Sequence, residues 1–155
     1  MNRSTSRSAI SVVAASSIVT SELTVQTKGT GFVDVTAEVA EFIRDAGARE
    51  GSLNLFIRHT SASLTIQENA DPSVLVDLKT ALARLAPEHA GWIHDTEGAD
   101  DMPAHVKTML TATSLQVPVM NGKLHLGTWQ AIYLVEHRAC PHRREIVLQF
   151  IGKRD

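Results

Sequence analysis

The densest group of polar side chains lies between Trp92 and Leu110, in the sequence WIHDTEGADDMPAHVKTML. Two histidines, His94 and His105, bracket the acidic residues Asp95, Glu97, Asp100 and Asp101. Imidazole nitrogens combined with an oxygen ligand suit Zn²⁺ or a similar transition ion, and a catalytic metal site keeps one position open. The spacing of the two histidines is not a dedicated metal motif, so a capped acidic loop with exposed histidines is the alternative.

The local pattern predicts a short helix over PAHVKTMLTA, with Asp101 as its capping residue. His105 would then lie in the first or second helical turn. His94 lies on the upstream arm of the loop, so a hairpin-like conformation would bring the two imidazoles together.

A second polar group occupies RHTSASLTIQEN, between two segments that are typical of strands. His59 and Ser61 lie where the first strand ends, and Glu68 and Asn69 lie at the end of the second. Polar side chains between apolar strands either line a pocket or decorate an exposed edge. For His59, a functional role and a simple hydrogen bond to a strand neighbour are both open.

A third group lies in HLGTWQAIYLVEHR and the segment after it. Gln130 and Glu136 are an even number of residues apart, so an unbroken strand places them on one face. Trp129 is suited to stack on a ring but is equally typical of a core residue. Arg143 and Arg144 would neutralise a phosphate, although a basic edge strand explains them as well.

The composition excludes several classes of function. The chain has 155 residues, a formal net charge of −2 and one cysteine, Cys140. No basic surface is expected, so neither nucleic acid nor a membrane is a predicted partner. A single cysteine excludes an internal disulfide and is typical of a reducing cytoplasm. Because no segment approaches the ~20 apolar residues of a membrane span, we expect a soluble cytoplasmic protein.

Residues 1–20 read as an extension, and residues 21–155 read as one domain. The order of elements predicts an α+β fold with a mostly antiparallel sheet or sandwich and two to three helices. The clearest helix begins at Asp71 and Pro72, and its buried stripe is predicted to comprise Leu75, Leu78, Leu82 and Leu85. Asn121 and Gly122 predict a tight hairpin between SLQVPV and a single long strand, KLHLGTWQAIYLVE.

Four motifs together resemble the YjbQ family: HTSASLTIQEN.DP....D, H..EGADDMPAH.K, VPV..G.L..GTWQ.IYL.EH and the final RR. The resemblance runs from about Glu22 to Gly152. It implies a compact, strand-rich α+β unit that assembles as a homotrimer. It also implies thiamine-phosphate synthase activity, in which a hydroxymethylpyrimidine diphosphate is coupled to a thiazole phosphate and diphosphate is released. That activity is expected to be secondary.

The resemblance also implies residue roles. The expected ligands of a divalent ion, zinc or magnesium, are His59, His94 and His105, with a carboxylate orienting their rings. The expected catalytic residues are Glu68, Asp77, Glu97, Gln130 and Glu136. A small phosphorylated substrate would contact Ser61, Asn69, Asp101, Trp129, Arg143 and Arg144. Many family members carry asparagine at the position of Asp101, which leaves the charge of the ligand set open.

Two other functions are consistent with the same residues. One is a metal-dependent hydrolase of a small phosphorylated or amide substrate, in which bound water loses a proton near neutral pH. The other is a trimeric protein that binds a small ligand without catalysis.

Overall fold

The computed structural model describes residues 5–155, which form two β-sheets and three helices. Residues 1–4 of the expected extension lie outside the described residues. None of the described helices is both long enough and apolar enough to cross a membrane. In chain order the elements are β1 (Ser17–Gln26), β2 (Gly31–Asp34), α1 (Thr36–Asp45), β3 (Ala48–Ile57), β4 (Ala62–Glu68), α2 (Pro72–Leu85), α3 (Asp101–Leu110), β5 (Ser114–Met120), β6 (Lys123–Leu124), β7 (Gln130–Glu136) and β8 (Arg143–Arg154).

The strands form a five-stranded sheet in the order β1-β8-β3-β5-β6 and a three-stranded sheet in the order β2-β7-β4. All of these strand pairs are antiparallel. Apolar side chains from both sheets and from α1 meet in one core, which includes Leu64 and Leu134 of the small sheet and Leu53 and Phe150 of the large sheet. The predicted α+β class is therefore confirmed.

Side chains of β7 alternate between two environments because successive residues of a strand point to opposite faces. Ile132 and Leu134 enter the core between the sheets. Val135 lines pockets with residues of α2, so it lies on the opposite face of the small sheet. Helices α2 and α3 therefore cover the outer face of this sheet, where the polar loop between them is anchored.

Two strong local signals are confirmed. Asp71 caps α2 by accepting a hydrogen bond from the backbone N–H of Ser73 at 2.9 Å, and Pro72 occupies the first turn. Asn121 and Gly122 have φ values of 51° and 75° between β5 and β6. Positive φ at both central residues is what a tight type I′ hairpin requires.

Longer-range expectations differ from the structure. The predicted single strand over residues 123–136 is divided: β6 pairs within the large sheet, whereas β7 belongs to the small one. The prediction that Leu75, Leu78, Leu82 and Leu85 form a buried stripe on α2 is wrong at Leu85, which is 65% exposed. No residue of α2 is fully buried. Helix α2 lies over the outer face of the small sheet, not in the core between the sheets.

The boundaries of two further elements also shift. Asp101 is the first residue of α3 and Asp100 takes the capping position without a side-chain cap bond, so the prediction that Asp101 caps the helix is wrong. Strand β1 begins at Ser17 and pairs with β8 from its first residue. Residues 17–20 of the expected extension therefore belong to the large sheet.

A buried ion pair joins the two sheets. Arg144 of β8 donates to both carboxylate oxygens of Glu136 on β7, at 2.8 Å from Nε and 2.5 Å from Nη2. Both residues are nearly inaccessible to solvent, with exposures of 4% and 0%. Thr27 and the backbone N–H of Arg138 donate to the same carboxylate. Burial alone would raise the pKa of Glu136, but these hydrogen bonds hold it below its ordinary value.

We predict that Glu136→Gln lowers the free energy of unfolding by about 3–5 kcal/mol, because the guanidinium of Arg144 would stay buried without its counter-charge. Urea denaturation at pH 7 measures the change. Glu145→Gln is the control, since the pairs of Glu145 with Arg143 and Arg58 are near the surface and its loss should cost less than about 1 kcal/mol. Equal losses in the two variants would contradict a special role for the buried pair.

Candidate metal centre

Helix α3 and the loop before it bring three potential metal ligands together. Asp101 and His105 are four residues apart in the helix, so their side chains share one face. His94 approaches from the preceding loop. One ligand atom from each of these residues lies within 4.8 Å of the others.

Hydrogen bonds define the orientation of these groups. Nε2 of His94 lies 2.8 Å from Oδ2 of Asp101, and Nε2 of His105 lies 3.6 Å from the same oxygen. Nδ1 of His105 lies 3.0 Å from the carbonyl oxygen of Thr60. A carbonyl oxygen only accepts, so Nδ1 carries the proton and donates it. In the neutral ring, Nε2 therefore presents its lone pair toward Asp101.

Arg138 anchors the acidic loop. Its guanidinium donates to Asp100, to Oδ1 of Asp101 and to the carbonyl oxygen of Glu97. Burial would by itself lower the pKa of Arg138, but the hydrogen bond with Asp100 and the neighbouring carboxylates raise it. Because Arg138 occupies Oδ1 of Asp101, the carboxylate turns Oδ2 toward the two imidazoles.

The cluster opens toward solvent on the histidine side. The side chains of His94 and His105 are 46% and 33% exposed, whereas that of Asp101 is 3% exposed. An open pocket of about 380 Å³ adjoins the cluster, and its walls include His59, Thr60 and His105. A small ligand bound in this pocket would lie beside the imidazole ring of His105.

His59 was predicted as the third imidazole ligand, but the cluster instead takes its third group from Asp101. Nε2 of His59 accepts a hydrogen bond of 2.9 Å from the backbone N–H of Glu145. Burial lowers the pKa of His59, and the positive charge of Arg144 lowers it further. These contacts give His59 the strand-neighbour bond that was the alternative reading of its position, while its ring still lines the adjoining pocket.

The two arginines that were expected to bind phosphate have partners within the protein. Arg144 is buried against Glu136 and also donates to the hydroxyl of Ser61 at 3.1 Å. Arg143 pairs with Glu145 at the surface and contacts Thr24. The guanidinium of Arg144 is therefore a structural cation that holds Ser61 in place.

A separate group lies where β4 ends and β7 begins. Glu68 and Gln130 are paired across the strands, and the backbone N–H of Asn69 donates to the carbonyl oxygen of Trp129. These residues stand at the end of the strands away from Glu136, which pairs with Ala62 at the other end.

Two predicted catalytic carboxylates lie elsewhere. Asp77 is exposed on α2. Glu97 is exposed in the loop that carries His94, and its carbonyl oxygen, not its carboxylate, contacts Arg138. The structure thus divides the expected site residues among several places.

Three residues near these sites were not identified from the sequence. Arg138 anchors the acidic loop, and His137 and Lys107 line a pocket beneath α2. The sequence Glu-His-Arg at positions 136–138 is a usable signal, since ionisable residues that end an apolar strand and continue beyond it are rarely buried without a partner. Lys107 lies on a helix that carries polar side chains on several faces, so its burial gives no local signal.

The fold and the histidine–carboxylate cluster together define an α+β sandwich protein with a candidate metal centre. The chain belongs to the UPF0047 protein YjbQ-like family, whose model matches residues 21–153. It is 46% identical over 132 residues to the UPF0047 protein sll1880 of Synechocystis, covering 84% of this chain and 90% of that one. It is 42% identical to the UPF0047 protein YjbQ of Escherichia coli O157:H7, covering 84% of this chain and 96% of that one.

Solved structures share the fold. A conserved YjbQ/UPF0047 protein of Clostridium acetobutylicum has a TM-score of 0.77 at 36% identity, covering 84% of this chain and 98% of that one. The hypothetical protein APE1520 of Aeropyrum pernix has a TM-score of 0.81 at 30% identity, covering 87% and 99%. The family resemblance read from the motifs is therefore confirmed.

The predicted thiamine-phosphate synthase activity is contradicted. The two relatives described above are named as UPF0047 proteins without an activity, and a YbjQ-like fold neighbour from Sulfolobus solfataricus is described as a protein of unknown function. The structure offers a physical reason as well: Arg144, which was to neutralise the departing diphosphate, is already neutralised by Glu136.

We predict that protonation of His137 destabilises the fold between pH 6.5 and about 4. Burial lowers the pKa of His137 to about 4, and the positive charge of Lys107 adds to the effect. The unfolded chain binds this proton near pH 6.5 and the folded chain does not, so stability falls as the pH decreases through that interval. The loss should reach about 3 kcal/mol.

Urea denaturation at pH 7 and pH 4.5 measures this loss, with His137→Gln as the test variant and His89→Gln, an exposed site, as the control. The difference in stability between the two pH values should shrink only in His137→Gln. An NMR titration that shows the His137 ring gaining a proton near pH 6.5 would contradict the prediction.

Proposed function

We propose that this protein binds one divalent transition-metal ion, with zinc as the preferred ion, through His94, Asp101 and His105. The centre would hold a small oxygen-bearing ligand, such as a phosphorylated molecule, at its open coordination positions. Two imidazoles and a carboxylate with a position left for water or ligand are a common zinc environment. Magnesium is disfavoured because it prefers an all-oxygen shell.

The observation that carries the proposal is the hydrogen bond from Nδ1 of His105 to the carbonyl oxygen of Thr60, at 3.0 Å. Metal-binding histidines almost always donate their second ring N–H to a carbonyl or carboxylate group. That contact fixes the tautomer and aims the lone pair of Nε2. A histidine exposed by chance on a helix has no need of such a bond.

The separations within the cluster support the same reading. Two ligand atoms that lie about 2.1 Å from a tetrahedral ion are about 3.4 Å apart. Nε2 of His105 and Oδ2 of Asp101 are 3.6 Å apart, which is close to that separation. Nε2 of His94 is 2.8 Å from Oδ2 and donates to it, so binding of an ion would require the proton of Nε2 to leave or to move to Nδ1, and the exposed ring to move outward by about 0.6 Å.

The charges around the cluster also suit a cation. Asp100 and Glu97 lie in the same loop as the cluster, and Arg138 is the cation that contacts the carboxylates of Asp100 and Asp101. Hydrogen bonds from the backbone N–H of Ala139 and from Arg138 hold the pKa of Asp100 below its ordinary value, although burial opposes them. Asp100 therefore stays ionised at neutral pH and offsets part of the charge of a bound ion.

Elemental analysis of untagged protein should find about one zinc per chain after loading and desalting, as expected for a site with three protein ligands. Replacing a ligand should reduce zinc affinity by more than the roughly 10- to 100-fold that follows loss of a supporting contact. His105→Ala and His94→Ala test this in a chelator competition assay. Cobalt(II) should give the visible absorption of a tetrahedral centre in the wild type and lose it in both variants.

His89→Ala is the matched control, because His89 is exposed and lies outside the cluster. It should retain zinc with unchanged affinity. Wild-type protein that takes up no zinc after loading, or a His89→Ala protein that loses as much zinc as His105→Ala, would refute the metal site.

We also propose that the chain assembles as a homotrimer, as the family resemblance implied. The resemblance carries this proposal, and the single chain leaves apolar side chains available to an interface, among them Ile93, Met109 and Trp129, which are 98%, 81% and 66% exposed. Light scattering at micromolar concentration should give about three times the chain mass of 16.8 kDa. A mass that matches a single chain would contradict the proposal.

A further inference from the structure

A second cavity lies on the outer face of the small sheet, beneath α2 and beside α3. Its volume is about 240 Å³. Phe32, Leu82 and Val135 form an apolar wall, and Lys107 and His137 contribute polar groups. None of the three residues of the metal cluster lines this cavity, so its occupancy is a separate question from metal binding.

Lys107 lines this cavity as a cation without an ion-pair partner among residues 5–155. Only 8% of the residue is exposed. Within residues 5–155 its ammonium group forms no salt bridge and no hydrogen bond, whereas the half-buried Arg138 and the buried Arg144 each contact carboxylates. Glu88 lines the same cavity yet makes no ion pair with Lys107 in that part of the chain. Lysine residues with so little exposed surface are usually paired, so an ammonium group that faces the open space of this cavity is available to an anion that enters it.

His137 supplies a second polar group. It is 1% exposed, and its Nε2 lies 2.8 Å from the hydroxyl oxygen of Ser63. Among the described residues Nδ1 has no hydrogen-bonding partner. When the Ser63 hydroxyl donates to Nε2, Nδ1 carries the ring proton and becomes a donor. Two donors, one charged and one neutral, can then meet one acidic group of a ligand.

The charges of the lining residues indicate the charge of the ligand. Lys79 and Lys107 are positive and Glu88 is negative, while Glu136 is already neutralised by Arg144. The lining therefore carries one excess positive charge, which a singly charged anion balances. The cavity is smaller than the roughly 300–1,000 Å³ of pockets for drug-sized ligands, so it suits a molecule of a few carbon atoms.

We propose that this cavity is a binding site for a short-chain monocarboxylate. The carboxylate group contacts Lys107 and His137, and the hydrocarbon part packs against Phe32, Leu82 and Val135. This site goes beyond the proposed metal centre and does not depend on it. It gives the ammonium group of Lys107 the counter-charge that residues 5–155 do not supply.

Butyrate is the probe, with butyramide as its uncharged match and inorganic phosphate as the second anion. In ¹H–¹⁵N NMR spectra of the full chain, butyrate should cause saturable shifts at the amides of Phe32, Lys107 and His137, and butyramide should not. Phosphate should at most compete weakly, since it lacks the apolar part. Saturable binding of phosphate without binding of butyrate would overturn the monocarboxylate assignment.

Lys107→Met keeps the length of the side chain and removes its charge, and Lys123→Met changes an exposed lysine on β6 as the control. Affinity for butyrate should fall about 10- to 100-fold in Lys107→Met, as expected for loss of a charged hydrogen bond, and stay unchanged in Lys123→Met.

Each result bears on the proposal. Absence of saturable butyrate shifts in the wild type, or equal affinity of wild type and Lys107→Met, refutes it. If Lys107→Met fails to fold, the comparison of butyrate with butyramide on the wild-type chain decides the proposal by itself. The wild-type shifts can be measured with and without a chelator, so failure of the metal centre leaves this test intact.

Discussion

The buried ion pair between Glu136 and Arg144 is the contact on which the geometry of this protein most depends. It joins the last residue of β7 to the second residue of β8, and so it fixes one sheet against the other. The ion pair also fixes the directions in which the side chains of the next two residues, His137 and Arg138, point. His137 turns to the outer face of the small sheet and contacts Ser63, and Arg138 reaches the acidic loop before α3.

This arrangement gives three consecutive ionisable residues three different roles. Glu136 is inside the sandwich, His137 lines the cavity beneath α2, and Arg138 orients the carboxylate of Asp101. A buried pair of this kind contributes less to stability than its Coulomb energy suggests, because both ions lose their hydration. The pair acts mainly by holding β7 in place relative to β8. A shift between these strands would displace both the histidine–carboxylate cluster and the cavity beneath α2.

Family membership and function separate clearly in this protein. The motifs identify the YjbQ-like family along nearly the whole chain, and the fold agrees with solved relatives. Family membership did not establish the thiamine-phosphate synthase activity that was inferred with it. One fold supports many different reactions, and the residues of the site determine which of them occurs. Arg144 and Glu136 illustrate the difference. Their identities suggested phosphate binding and catalysis, whereas their mutual contact makes them a structural pair.

The sequence alone determined the features that depend on neighbouring residues. Asp71 and Pro72 begin α2, Asn121 and Gly122 form the hairpin, and Gln130 and Glu136 share one strand. Each of these follows from backbone geometry or side-chain periodicity within a few residues. The grouping of His94 with His105 was also predicted, because a loop and one helical turn suffice to bring them close.

The tertiary structure decided which distant residues meet. Thr60 and His105 are 45 residues apart, and His59 and Glu145 are 86 apart, yet these contacts orient one histidine toward the cluster and engage the other elsewhere. The break between β6 and β7, which sends the second strand to the other sheet, has the same origin. Local patterns do not determine such contacts. The burial of Lys107 and the pairing of Arg144 with Glu136 likewise depend on how the two sheets and the helices α2 and α3 pack against one another.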